Sequence, residues 1–203
     1  MIEASTKDET AIIFDWDDTL LCTTFLDQFK DGSVPAGVQA HLQLIEQAVG
    51  RLLDMALGLG HTFIVTNAVE NWVEESAAHY LPGLAKTLQK VDIISARSTQ
   101  ESQGCGNVNE WKVRAFLALG NKLNSNKITN LISVGDSSHE LEAANALSAT
   151  SAKGLLKIIK LQESPSSQEL LKQLNIILPR FGQLVAKKSN SMLSLARNRK
   201  IQP

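Results

Sequence analysis

Cysteine is almost missing from this chain, with Cys22 and Cys105 the only two among 203 residues. Two thiols so far apart form neither a metal-spaced set nor a disulfide framework, and a reducing intracellular setting is the simplest reading. Aromatic residues are also scarce, at 5%, which argues against a base-stacking surface for nucleic acid. The formal net charge is only −1, so no overall field draws the chain toward nucleic acid or an anionic membrane. No apolar stretch is long enough to span a bilayer. Met1 to Thr10 is polar and mixed in charge, unlike a secretory signal, and a cytoplasmic location is expected.

What is present is a hydrophobic fraction of 43%, in a chain long enough for one α/β domain with a real core. Apolar runs that read as buried strands recur at Ala11–Phe14, Thr62–Val65, Val91–Ile94, Asn130–Val134 and Leu155–Leu161, the last with a polar face that suits an edge. Between them lie helical spacings. Val38 to Leu59 repeats apolar residues every three or four positions, and a second helix is expected over Ala68 to Tyr80, capped by Asn67. Asn107 and Glu110 have the spacing of a capping box and open a third helix that runs to Gly120, after a Ser/Gln/Gly-rich loop from Ser95 to Gly106. A short helix over Glu142 to Leu147 precedes the fifth strand. A final amphipathic helix from Ser167 to about Val185 carries Pro179, which should kink or split it.

Alternating strands and helices predict a doubly wound, Rossmann-like parallel sheet of about five strands. The expected organisation is a flexible segment over 1–10, a single domain over 11–186 and a basic, solvated tail over 187–203.

The first strand breaks off in Asp15-Trp16-Asp17-Asp18-Thr19. Like charges packed this closely call for a cation, a shared proton or water. Parallel strands finish on one edge, where open α/β sheets bind ligands, so four stations can converge there: Asp15 to Thr19, Thr66-Asn67, Lys112, and Gly135-Asp136 with Glu140. Trp16 reads as a packing residue, and Arg97 is a weak candidate for a phosphate contact.

With these stations in this order the chain resembles the haloacid dehalogenase-like superfamily of aspartyl phosphotransferases, over roughly Ala11 to Leu161. The resemblance implies that Asp15 attacks a phosphoryl group and carries it as an aspartyl phosphate, and that Asp17 serves as acid and then base. It implies Mg²⁺ held by Asp15, the main-chain carbonyl of Asp17 and Asp136. Glu140 is expected to act through water or by orienting Asp136, and Thr19 to support the loop. Thr66 and the Asn67 N–H would bind phosphoryl oxygens at a helix start, and Lys112 would neutralise the nucleophile and a phosphoryl oxygen. Asp18 stands where many small-molecule members have glycine.

Substrates in that superfamily are chosen largely by inserted cap domains; here the interval Leu21 to Gly37 can hold a small flap and Ser95 to Gly106 is too short for a folded domain, so a capless phosphatase is expected. An open crevice suits a phosphoprotein, or a small phosphometabolite enclosed by a neighbouring subunit in a homo-oligomer. The alternative is a weakly active or non-catalytic scaffold that keeps the fold. A receiver domain fits worse, because its phosphoacceptor would end the third strand, where no Asp stands.

Overall fold

The computed structural model describes residues 6–29, 33–102, 108–123, 127–151 and 154–195. Its strands are β1 (Thr10–Phe14), β2 (His61–Thr66), β3 (Asp92–Ser95), β4 (Asn130–Gly135), β5 (Leu155–Lys160) and β6 (Ser191–Ser194). They make one sheet in the order β3-β2-β1-β4-β5-β6, and every adjacent pair is parallel. The winding reverses at β1, whose two neighbours are β2 and β4. A crevice forms at such a reversal, outside the carboxyl ends of the strands.

The helices are α1 (Thr23–Leu26), α2 (Ala36–Leu59), α3 (Trp72–Tyr80), α4 (Ala85–Leu88), α5 (Ala96–Ser102), α6 (Val108–Leu123), α7 (Ser138–Ala149), α8 (Ser167–Ile177) and α9 (Phe181–Ala186). They cover both faces of the sheet. Ile12 and Phe14 join a core with Ile45, Val49 and Leu52 of α2 and Leu170 and Leu174 of α8. Ala11 and Ile13, alternating to the other face, pack with Phe116 of α6 and Ala143 of α7. A strand covered on both faces must be apolar throughout, which is why Ala11 to Phe14 reads as an unbroken run. Burying each large aliphatic side chain contributes about 1.5–3 kcal/mol before chain entropy is counted. The turn from α2 into β2 needs Gly60, because a Cβ there would stand 2.6 Å from the Thr10 carbonyl oxygen.

Several expectations are corrected. The sheet has six strands instead of about five: Ser191–Ser194, inside the segment expected to be a solvated tail, pairs with Lys157 to Lys160. This removes β5 from the edge. β1 begins at Thr10, one residue before the expected strand. Asn67 caps no helix. Asn71 adopts a left-handed conformation (φ 66°) immediately before α3, which delays that helix to Trp72. Part of the expected Ser/Gln/Gly-rich loop is α5, and Gly120 lies within α6. Pro179 does split the last helix, through a 3-10 turn at Leu178–Arg180 between α8 and α9.

Between β1 and α2 the described residues hold only α1 and a 3-10 turn at Asp27–Phe29, and between β3 and α6 only α5. Cys105, Asn107, Arg197, Arg199 and Lys200 lie outside the described residues. Among those described, no helix is long and apolar enough to cross a membrane.

Candidate functional site

The register of β1 and β4 decides where the acids go. Phe14 lies beside Val134, and the Asp15 N–H donates to the Val134 carbonyl at 2.9 Å. Asp15 and Asp136 therefore leave adjacent strands at the crevice, 5% and 8% exposed. Thr19, fully buried, donates a long hydrogen bond (3.4 Å) to Asp136 Oδ1. Thr19 thus holds Asp136 from the turn after β1.

Lys112 reaches the same point from the second turn of α6. Its ammonium donates to Asp15 Oδ1 at 2.6 Å and to Glu140 Oε1, and it is 3% exposed. The other Glu140 oxygen closes the capping box of α7, accepting from the Ser137 N–H at 2.8 Å and the Ser137 hydroxyl at 2.6 Å. Glu140 crosses over the end of β4 to do this, and a side chain at Gly135 would overlap it. The acid expected to act indirectly is therefore in direct contact with Lys112.

Were all three carboxyl groups ionised, one ammonium would leave two negative charges uncompensated. Burial and this crowding together set the titration behaviour. Burial pushes Asp136 up to about 7, with Glu140 and Asp18 adding to the rise and Lys112 and Lys160 opposing it. Burial also raises Asp15 well above the usual carboxylate range, with Lys112 pulling the other way and Glu140 and Asp136 adding to it. For Lys112 the penalty of burial is outweighed by Asp15 and Glu140, so its ammonium is held charged. Glu140 ends below its ordinary value because Lys112 and the two Ser137 donors overcome its burial.

Asp15, Asp136 and Glu140 each offer a carboxylate oxygen, and all three atoms lie within 4.8 Å of one another. Oxygen donors of this kind suit a hard cation, and two unbalanced negative charges suit a divalent one. Both Glu140 oxygens are already engaged, one by Lys112 and one by Ser137, so Asp15 and Asp136 are the better-placed ligands.

The Asp17 side chain is not in that cluster. Thr66 Oγ1 donates to its Oδ2 at 2.9 Å and Trp72 Nε1 to its Oδ1 at 2.8 Å. Thr66, expected to face a phosphoryl group, therefore grips Asp17 and accepts the Ala68 N–H. Trp72 escaped the sequence reading, since nothing in its local pattern links it to a residue 55 positions away. Asn67 Oδ1 is buried with no hydrogen-bond partner among the described residues. The left-handed turn at Asp18 (φ 53°) explains a position where glycine would serve, and an Asp tolerates it. Its carboxylate accepts the Thr24 N–H at 3.0 Å in the first turn of α1. Trp16 is a packing residue, with its indole N–H donated to Ser76. Arg97 lies over the Trp111 ring.

Comparison of the chain with protein-family models, curated proteins and solved structures finds no match.

Proposed function

We propose that this protein is a Mg²⁺-dependent phosphate monoester hydrolase with a haloacid dehalogenase-like fold. The observation that carries the reading is the meeting of Asp15, Asp136 and Glu140 with the buried Lys112 ammonium at the carboxyl edge of a parallel sheet. In this reading an Asp15 oxygen attacks phosphorus, and the bond from phosphorus to the ester oxygen breaks. Asp17 gives its proton to the departing alcohol. It then takes a proton from a water molecule that attacks the aspartyl phosphate, which releases inorganic phosphate and restores Asp15.

Lys112 offsets charge on the nucleophile and on the transferred group. Thr66 and Trp72 aim Asp17, whose oxygens each keep a second lone pair for the proton. Asn67 contributes its main-chain N–H to the phosphoryl oxygens. Asp15 and Asp136 would hold the Mg²⁺ ion, which supplies charge neutralisation for an anion attacking an anion.

The test is release of phosphate from p-nitrophenyl phosphate. Turnover should require Mg²⁺, stop with EDTA and fall to background in Asp15→Asn. Undiminished turnover in that variant, or indifference to EDTA, would overturn the assignment.

A further inference from the structure

A cavity of roughly 500 Å³ opens toward the carboxyl ends of β2 and β3. Thr66 and Trp72, the two residues that donate to the Asp17 carboxylate, both line it. Two of its wall residues are therefore in direct contact with the group that would protonate the departing alcohol. Its walls are tied together. Ser95 Oγ donates to the Ala68 carbonyl at 2.6 Å and accepts the Ser98 N–H, while Ser98 Oγ accepts the Glu70 N–H at 3.0 Å.

Charge decides what can enter. Glu70 and Glu74 line the cavity and are solvent-exposed, and none of the described lining residues is basic. A leaving group bearing a carboxylate or a second phosphate would meet these two acids with no basic lining residue to compensate. A cationic one meets the same acids as attractive partners, together with a half-buried indole anchored by its own hydrogen bond. The volume matches a recess for a small molecule.

We propose that this cavity is the leaving-group subsite, and that the substrate is a small phosphate monoester of an alcohol carrying a protonated or quaternary amine. The proposal rests on the phosphatase reading and narrows its substrate class. Hydrolysis of p-nitrophenyl phosphate, phosphocholine, phosphoethanolamine, phosphoglycerate and a basic phosphoserine peptide tests it. At low ionic strength kcat/KM for phosphocholine should exceed that for phosphoglycerate by roughly tenfold. The double variant Glu70→Gln/Glu74→Gln should bring that ratio toward one, acting through KM and not kcat. Titration of the Asp15→Asn protein, followed by tryptophan fluorescence, should show the same order of affinities without turnover.

Hydrolysis of the aryl phosphate with phosphoglycerate equal to or better than the amino-alcohol esters would overturn this inference and leave the phosphatase reading standing. Faster turnover of the phosphopeptide than of every small ester would overturn it too. Absence of turnover on every ester would bring down both.

Discussion

The sheet buries a lysine toward each of its two edges, and the pair behave in opposite ways. Lys112, near the carboxyl edge, is 3% exposed and donates to two carboxylates, which keep its ammonium charged despite burial. Lys157, on β5 toward the amino edge, is 2% exposed, but its acceptors are neutral: Asn130 Oδ1 and the Val185 carbonyl in the last turn of α9. Burial, with the like charge of Lys187 adding to it, lowers Lys157 to about 8. Equal burial thus gives unequal chemistry, because partner charge sets the outcome. The first arrangement holds a buried cation between two acids. The second closes a polar network in which Asn130 Nδ2 also donates to Thr10 Oγ1 and to the Val185 carbonyl.

The strongest way to break the contrast is to delete the carboxyl-edge cation. Lys112→Met leaves Asp15 and Glu140 buried with no positive partner, which should cost about 3–5 kcal/mol near neutral pH. Turnover should fall by about 10³-fold, the scale of losing a charge-stabilising donor. The sign of the pH dependence follows. Lys112 holds Glu140 down and opposes the rise of Asp15, so without it both carboxyls titrate higher still; the penalty grows as pH rises and vanishes at acid pH, where the folded and unfolded forms are both protonated. Urea unfolding across this range checks it. A loss that grows on acidification would show that Lys112 is not what holds Glu140 below its ordinary value.

At the amino edge the sign reverses. Lys157 in the folded protein gives up its proton at a lower pH than in the unfolded chain, so between about 8 and 10.5 the unfolded state binds more protons and stability rises with pH. Below pH 8 both states are charged and the penalty is present in full. Relative to Lys157→Met, the wild-type protein should gain about 2–3 kcal/mol between pH 7 and pH 10, as measured by denaturant unfolding at each pH. Parallel curves for the two proteins would mean that an anion compensates this lysine after all.

How much of this was legible in the sequence depends on the range of each signal. Asp15 and Asp136 stood out because each follows a buried strand, and strand ends of one parallel sheet must share an edge. Lys112 was found by its place in a helix ahead of the fourth strand. Lys157 was misread as the polar face of an edge strand, since β6 covers that edge through Ser191-Met192-Leu193-Ser194, four residues whose alternation is too short to read as a strand. The Trp72 bond to Asp17 and the bridging role of Glu140 are contacts between distant segments, fixed by packing and not by any local pattern. The left-handed Asn71, which sets the start of α3, is a backbone choice that Asn permits but does not dictate.

A milder change sharpens the contrast without removing a charge. Gly135→Ala puts a methyl group where the Glu140 side chain passes, so Glu140 must withdraw from Lys112 or the end of β4 must shift. Overpacking of this kind should cost about 2 kcal/mol. Under the proposed phosphatase mechanism, displacing one of the two anions of Lys112 should also lower kcat. The equivalent change at Gly182, where a Cβ meets nothing within 4 Å, serves as the control. Stability and kcat untouched in Gly135→Ala would mean that Glu140 does not need its observed path.

The smallest effect is expected at Ser133, which lies on β4 between Asn130 at one end and Asp136 just past the other. Its neighbours in the sheet are Ile13 and Ile158, and its hydroxyl, 1% exposed, has no hydrogen-bond partner among the described residues. The lysines at the two edges differ in what answers their charge; this hydroxyl is neutral and nothing answers it. An unanswered buried hydroxyl costs about 1–3 kcal/mol, and removing it leaves a void smaller than a methyl group. Ser133→Ala should therefore raise stability by about 1 kcal/mol, seen as a higher denaturation midpoint at unchanged slope. A lower midpoint would reveal a bridging water at Ser133 and place this strand's polar groups in one connected network from edge to edge.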